Sequence, residues 1–295
     1  MFDGLDFIIE KCNFNEKRSH IDISKLLSLE FPNVDLNEII IKYDQMGEIG
    51  VLKLDPSNTT VTFRSRVGEL ILSQTSKLKT VVNKIDVVEG TERTYPIEHL
   101  AGERNTQSWH QEYGILINFD IKTTYFNPRL AEEHNRVAKL IDSGEKVLDL
   151  FCGVGPFALY CASRIPCEVV AVDINPDAIL ALKKSIAHNK LQGNINAIIG
   201  DSLTIFQSKN YFNRIIINLP QNSADFLPYA ARLLKKGGII TFYQFIPKSK
   251  NPEKDIREMI TEKIDEVNSY KVLYVKEGRE VSPSKVQMNV DIKID

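Results

Sequence analysis

From about residue 146 onward, short apolar runs alternate with longer stretches whose apolar residues recur every three or four positions. That alternation predicts βαβ units around a parallel sheet. Residues 147–150, 168–172, 195–199, 214–218 and 238–245 read as strands, with helices over 156–163, 176–190 and 222–235. Asn175-Pro176-Asp177 supplies a cap residue followed by proline at a first helical position, and Lys235-Lys-Gly-Gly238 places cations and glycines where a helix stops. A polar helix is expected near 252–266, then strands over 270–277 and 285–293. The last alternates strictly, and the linking residues 277–284 predict an antiparallel hairpin at the sheet edge.

The first part of the chain has a different rhythm. Strand-like runs at 38–43, 48–54, 59–63 and 114–120, with a helix near 66–76, predict a smaller α+β domain over 35–125. Residues 1–34 read as a short helical extension and 126–295 as the α/β domain.

Composition bounds this picture without deciding function. The 295 residues, 43% hydrophobic and 26% charged, suffice for one large core plus a smaller domain. The N-terminus lacks a basic segment followed by an apolar one, and no run approaches the roughly 20 apolar residues that span a bilayer. A cytoplasmic protein without membrane attachment is the expectation, and a monomer. Cys12, Cys152, Cys161 and Cys167 show no CxxC spacing and no nearby histidine pairs, which argues against zinc or a disulfide framework. A net charge of −2 gives no global basic footprint, and residues 60–140 hold eleven Lys/Arg against ten Asp/Glu. Any polyanion would have to be bound by a local patch.

The chemistry concentrates in Asp149-Leu-Phe-Cys-Gly-Val-Gly-Pro-Phe157. A strand turning through Gly153 and Gly155 into a helix lets backbone approach a ligand closely, because neither glycine has a Cβ. The spacing Gly153-x-Gly155-x-x-Ala158, with Asp173 twenty residues after the first glycine, also satisfies a dinucleotide fingerprint. Asp149 separates the two readings: a carboxylate just before the loop attracts the cationic methionine end of S-adenosyl-L-methionine and repels a pyrophosphate. Pro156 removes one N–H that a pyrophosphate would use. Asp173 is placed to accept both ribose hydroxyls or to cap the following helix. Asp201 is placed to accept from the adenine amino group or to sit in a solvated loop. Phe151 packs on the cofactor or into the core.

The fourth strand ends in Asn218-Leu-Pro220, at the carboxyl edge of the sheet where such folds bind ligands. It resembles the Asn/Asp-Pro-Pro segment with which amino-methyltransferases hold a target nitrogen. Leucine at the second position points to a ring nitrogen instead of an exocyclic amine. The alternative is a proline that only terminates a strand.

The later half as a whole resembles the class I methyltransferases. Across about 35–295 the chain resembles the archaeal and eukaryotic tRNA (guanine-37, N1)-methyltransferases, grouped with the wybutosine-pathway enzymes. The resemblance rests on Glu98-His-Leu-Ala-Gly-Glu-Arg-Asn-Thr106, His110-Gln-Glu-Tyr-Gly114, Tyr125-Phe-Asn-Pro-Arg-Leu-Ala-Glu-Glu133, the glycine loop, and Asn218-Leu-Pro with Ala224-Asp-Phe-Leu227. It implies a class I, Rossmann-like catalytic domain that uses S-adenosylmethionine and acts on the anticodon stem-loop of tRNA. It also implies Glu133 as the base for the N1 proton, Arg93 as the group steadying charge on O6, and Asn218 holding the base edge. Arg129 and Tyr125 would line the same crevice, and Pro220 would shape its substrate side. From the residues alone, Glu132 and Glu133 are equivalent candidates. Arg64, Arg66, Lys77, Lys79 and Lys84 are the candidate grip on the anticodon stem. The rivals are aminocarboxypropyl transfer or carbon-7 methylation in the wybutosine pathway, and a non-catalytic RNA-binding relative.

Overall fold

The computed structural model describes residues 23–85, 96–206, 209–264 and 269–295, without the side chains of 279–281. Helix α1 (Ile23–Glu30) precedes a four-stranded sheet ordered β1 (Tyr43–Met46), β2 (Ile49–Leu52), β3 (Thr80–Lys84), β4 (Ile97–Gly102). Helix α2 (Val61–Gln74) makes the crossover between the parallel pair β2 and β3. It starts because the Thr60 hydroxyl accepts from the Phe63 N–H, and it stays because Phe63, Val67, Leu70 and Ile71 are buried against the sheet. The strand expected over 59–63 is therefore the cap and first turn of this helix. Its threonines have β propensity, but a hydroxyl at the N-cap position satisfies a helical N–H that a strand would not present. Nor do residues 38–42 form a strand; β1 begins at Tyr43.

The second part comprises a hairpin, β5 (Gln107–Glu112) and β6 (Ile115–Asp120), a 3-10 turn (Pro128–Leu130) running into α3 (Ala131–Ala138), and then the α/β domain. Its elements are β7 (Lys146–Asp149), α4 (Pro156–Arg164), β8 (Glu168–Asp173), α5 (Pro176–His188), β9 (Asn194–Ile199), α6 (Ser202–Ile205), β10 (Phe212–Ile217), α7 (Leu227–Leu233), β11 (Leu234–Pro247), α8 (Pro252–Ile264), β12 (Tyr270–Ser282) and β13 (Lys285–Ile294). The sheet order is β12-β13-β11-β10-β7-β8-β9, parallel from β9 through β11 and antiparallel at β13 and β12. This is the expected mainly parallel sheet ending in an antiparallel hairpin.

Both faces of the sheet are covered, so successive strand residues enter opposite cores. Val147 and Ile216 face the side of α4 and α5, while Leu148, Ile215 and Ile217 face α7 and α8. That two-sided burial is why the strands read as continuous apolar runs. Two boundaries differ from expectation. The 222–235 helix is a 3-10 turn (Ser223–Phe226) followed by α7, and Lys235-Lys-Gly-Gly238 lies within β11, where pairing with β10 slips and Gly237 takes φ +76°. The final hairpin is longer, β12 extending to Ser282, because its irregular register accommodates residues that read as loop.

The β5–β6 hairpin ties the two parts together. Its free edge is satisfied by side chains of and just beyond α5: Ser185 Oγ accepts from Asn118 N–H (2.8 Å), and Asn189 accepts from Leu116 N–H and donates to its carbonyl (2.9 and 2.7 Å). On the other side, Ser108 Oγ accepts from Glu48 N–H and His110 Nδ1 from Gly47 N–H, the turn between β1 and β2.

Arg64 is not a surface contact. It is buried in a two-bond pair with Glu98 (2.7 and 2.9 Å) and also donates to the Thr59 carbonyl. Arg66 is paired with Glu30 and Glu69, and Lys79 with Glu48. Arg64→Leu should leave the Glu98 carboxylate without its counter-charge and lower the unfolding free energy by about 3 kcal/mol, read from urea denaturation. An unchanged midpoint would show that the pair contributes nothing.

Candidate cofactor and substrate site

β7 ends at Asp149, and the chain turns through Gly153 and Gly155, both at positive φ (+54° and +78°), into α4 with Pro156 as its first residue. A Cβ on Gly155 would lie 2.3 Å from Leu182 Cδ1, so α5 packs directly on the turn. Asp173, ending β8, accepts from Gly153 N–H through Oδ2 (2.7 Å) and from Asn175 N–H through Oδ1 (2.9 Å). The cap of α5 is Asn175, whose side-chain oxygen accepts from Asp177 and Ala178 N–H. Its amide also donates to the Thr123 carbonyl (2.7 Å), which fixes the segment carrying Tyr125.

A cavity of about 510 Å³ opens at the carboxyl ends of β7, β8, β9 and β10. Among the residues singled out from sequence, Tyr125, Phe151, Gly153, Asp173, Asp201 and Asn218 line it. Asp201 also caps α6, accepting from Leu203 N–H (3.0 Å), and Phe151 packs edge-to-face on Phe226 with centroids 4.8 Å apart. The Asn218-Leu219-Pro220 turn is stapled from both sides. Ser223 Oγ donates to the Ile217 carbonyl and accepts from Leu219 N–H, while the Pro220 carbonyl accepts from Phe245 N–H (2.6 Å). Pro220 is buried in that staple and lies outside the cavity wall.

The other expected residues lie around the cavity. Asp149 is fully buried behind the glycine turn, and neither carboxylate oxygen has a hydrogen-bond partner among the described residues. Burial first, and the neighbouring Asp173 charge second, push its carboxyl up to about 8, against a smaller lowering by the nearby Phe151 N–H, which lies outside strict hydrogen-bond geometry. Glu133 is on α3 but not in the wall. Its Oε1 accepts from Arg136 Nε and Nη2 and from Tyr243 Oη, its Oε2 from Arg136 Nε alone. Arg136 continues to Asp291 (2.7 Å), which also accepts from Thr241 Oγ1. Glu132 is exposed. Arg129 pairs with Asp44 at 2.5 Å. Arg93 lies outside the described residues.

Sequence reasoning missed His134, the neighbour of Glu133. It is buried, lines the cavity, and bonds through Nδ1 to the buried Glu112 carboxylate at 2.9 Å. The motif His110-Gln-Glu112 was visible, but its partner on α3 was not. Tyr243 and Asp291 were missed too, because nothing local in sequence links them to Glu133.

The cavity fits S-adenosylmethionine. A pyrophosphate would meet Asp173 in the wall and Asp149 behind it, whereas the unsatisfied acceptors of Asp149 suit a ligand end that donates hydrogen bonds and carries positive charge. A sequence profile of the TRM5/TYW2 methyltransferase domain matches residues 108–273, over half of the chain. The chain belongs to the TRM5/TYW2 methyltransferase family. Members of this family depend on S-adenosylmethionine. A second profile, of the TYW2 N-terminal domain, matches residues 23–106. The tRNA (guanine(37)-N(1))-methyltransferase Trm5b of Pyrococcus abyssi is 37% identical over 206 residues, 70% of this chain and 60% of that protein. Trm5b of Methanocaldococcus jannaschii is 35% identical over 236 residues, 80% of this chain and 66% of that protein. The chain thus spans less than two thirds of the length of each of these curated relatives. The solved structure of aTrm5 in complex with tRNALeu superposes with a TM-score of 0.80 at 29% identity, covering 99% of this chain and 84% of that one.

In the unfolded chain the Asp149 carboxyl ionises near ~3.9, in the native chain at about 8. The unfolded state loses its proton first, so this group's effect is to reduce stability as pH rises between the two values. Asp149→Asn should flatten that part of the profile and raise the unfolding temperature of the ligand-free protein at pH 8 more than at pH 5. Equal shifts at both pH values would rule out a buried neutral acid. The same change should weaken S-adenosylhomocysteine about tenfold in calorimetry, the scale of one charge-assisted bond.

Proposed function

We propose that this protein transfers the methyl group of S-adenosylmethionine to N1 of guanosine 37 in the anticodon loop of tRNA. The observation that carries the reading is one cavity, in a chain of this family, walled on one side by Asp173 and Asp201 and on another by Asn218. It is supported by the names of the two Trm5b relatives and by the tRNA complex of aTrm5. The cofactor supplies an electrophilic methyl group on a sulfonium; the chain supplies binding, orientation and proton removal.

Guanine N1 carries a proton at neutral pH, and its lone pair is tied into the ring, so transfer needs a base. Glu133 takes that role: its Oε2, with a single donor against three on Oε1, has the acceptor capacity left for the N1 proton. Tyr243 and Arg136 position Glu133. Arg93 stabilises the charge developing on O6, and Asn218 holds the base edge. The guanine has to be swung out of the loop's stack to reach the methyl group, which costs a few kcal/mol.

The match of residues 23–106 to the TYW2 N-terminal domain favours a second reading, transfer of the aminocarboxypropyl group to a tricyclic wybutosine precursor. Leu219 between Asn218 and Pro220 speaks against it, as it does against amine methylation.

Incubation with methyl-labelled cofactor and transcripts bearing G37 or A37, followed by nucleoside mapping, should yield N1-methylguanosine from the first and nothing from the second. No such product, with cofactor binding demonstrated, sinks the proposal; an unlabelled aminocarboxypropyl adduct on a tRNA carrying the tricyclic base, with the label leaving in 5′-methylthioadenosine, selects the second reading. Glu133→Gln should keep cofactor and tRNA affinity while slowing single-turnover transfer by roughly 10²–10³-fold. Lost binding with unaltered chemistry would make Glu133 structural.

A further inference from the structure

The wall of the main cavity holds two acids, Asp173 and Asp201, and, among the described residues, a single side chain able to carry positive charge, His134. S-adenosylmethionine has a carboxylate at its methionine end as well as an ammonium, and that carboxylate needs a donor among these acids. The His134 ring lies edge-on to Phe157 in the first turn of α4, with centroids 4.7 Å apart and planes at 83°, and 5.7 Å from Tyr160. It therefore belongs to the part of the cavity formed by the glycine turn.

The orientation of that ring is set from outside the cavity. Glu112, the last residue of β5, is buried and absent from the wall, and its Oε1 bonds His134 Nδ1 at 2.9 Å. A carboxylate only accepts, so Nδ1 bears the proton and Nε2 is the ring nitrogen left for the cavity. His110 Nε2 lies 3.8 Å from Glu112 Oε2, beyond hydrogen-bond distance. Its Nδ1 accepts from Gly47 N–H, and burial, against the opposing Glu112 charge, holds its imidazole below the ordinary value. The Tyr160 phenol is pushed above its ordinary value by burial first and the Glu112 charge second. Neither gives Glu112 a charged partner, and Oε2 has no well-formed hydrogen bond among the described residues. A protonated His134 ring answers both needs, with Nδ1–H on the buried acid and Nε2–H toward the ligand.

We propose that Glu112 is a positioning residue for cofactor binding: it holds the His134 ring so that Nε2–H meets the carboxylate of the cofactor's methionine end. Glu112 touches no ligand itself and acts only through the ring, as the acid behind a metal-bound or catalytic histidine does. It also makes the cofactor site depend on the β5–β6 hairpin, which bonds the turn between β1 and β2 through Ser108 and His110. That role rests on the family's cofactor alone, whichever base receives the methyl group, so its test uses no RNA.

Three ligands are compared by calorimetry: S-adenosylhomocysteine, its decarboxylated analogue, which keeps the ammonium, and 5′-methylthioadenosine, which lacks the whole amino-acid end. The variants are Glu112→Leu, Glu112→Gln, His134→Asn, which keeps a donor for Glu112 and removes Nε2, and the double variant Glu112→Leu with His134→Asn. Glu112→Leu and His134→Asn should each weaken S-adenosylhomocysteine about tenfold, the scale of one charge-assisted bond, and leave the other two ligands within about twofold. Glu112→Gln, which still accepts from Nδ1 without the charge, should recover part of that loss. The double variant should bind no more weakly than His134→Asn alone, because Glu112 works through the ring. Where Glu112→Leu does not fold, Glu112→Gln and His134→Asn carry the comparison. Unchanged S-adenosylhomocysteine affinity in the Glu112 variants overturns the proposal, and so do additive losses in the double variant. Equal losses for all three ligands overturn it by making Glu112 merely structural. A decarboxylated analogue that weakens as much as S-adenosylhomocysteine also overturns it, since His134 would then meet the ammonium. Absence of binding of all three by the wild type would remove the cofactor reading itself, and this role with it.

Discussion

Two hydrogen bonds to one carboxylate hold the site together: Asp173 accepts from Gly153 N–H and from Asn175 N–H. The first fixes the glycine turn against the end of β8. The second fixes Asn175, which caps α5 and reaches the Thr123 carbonyl, so that Tyr125 is set over the cavity. Each carboxylate oxygen can accept more than one bond, so the group that builds the turn still presents acceptors to a ligand. Moving Asp173 would therefore displace the glycine turn, the α5 cap and the Tyr125 segment together.

Charge is sorted across the Tyr125–Asn127 wall. The main cavity has Asp173 and Asp201 in its lining and Asp149 behind it, while a smaller cavity that shares Tyr125, Phe126 and Asn127 has Lys53, Lys84 and Arg129 beside a single acid, Asp44. Such opposed local charges cancel in the net charge of −2, which is why composition is silent about the ligand. Asp149 carries the cost of this arrangement in the ligand-free protein, being buried with neither oxygen in a well-formed hydrogen bond among the described residues. A cation that approached it would remove that penalty, so destabilisation of the empty site and affinity for the ligand have one origin.

What sequence could show follows from how each residue is buried. Strands with two apolar faces announce themselves, since Val147 and Leu148 enter opposite cores and both must be apolar. The glycine turn was legible because Gly155 has no space for a side chain. Strands β3, β4 and β5 were not legible, because their burial is partly polar: Asn83 is buried by bonding both the N–H and the carbonyl of Leu54, and Glu112 by bonding His134. Hydropathy has no term for a polar group that finds its partner elsewhere in the fold. The surroundings of Glu133 were hidden for the same reason: Arg136 reaches Asp291, 155 positions along the chain.

Those surroundings bear on the proposed chemistry. A base that takes a proton loses its charge, and the Arg136 guanidinium held by Glu133 would then sit partly buried with half its pairing gone. Asp291 supplies the other half at 2.7 Å and is itself held by Thr241, so the cation stays compensated whichever protonation state Glu133 adopts. Tyr243 adds a neutral donor: its phenol is pushed well above its ordinary value by burial and then by the Glu133 charge, so it holds its proton and keeps bonding Oε1. Three of the four hydrogen bonds converge on Oε1 and only one, from the shared Arg136 Nε, reaches Oε2, which leaves a protonation event on Oε2 free to occur without dismantling the network. A carboxylate serving only as a helix-start charge would need neither the second acid on its arginine nor the phenol.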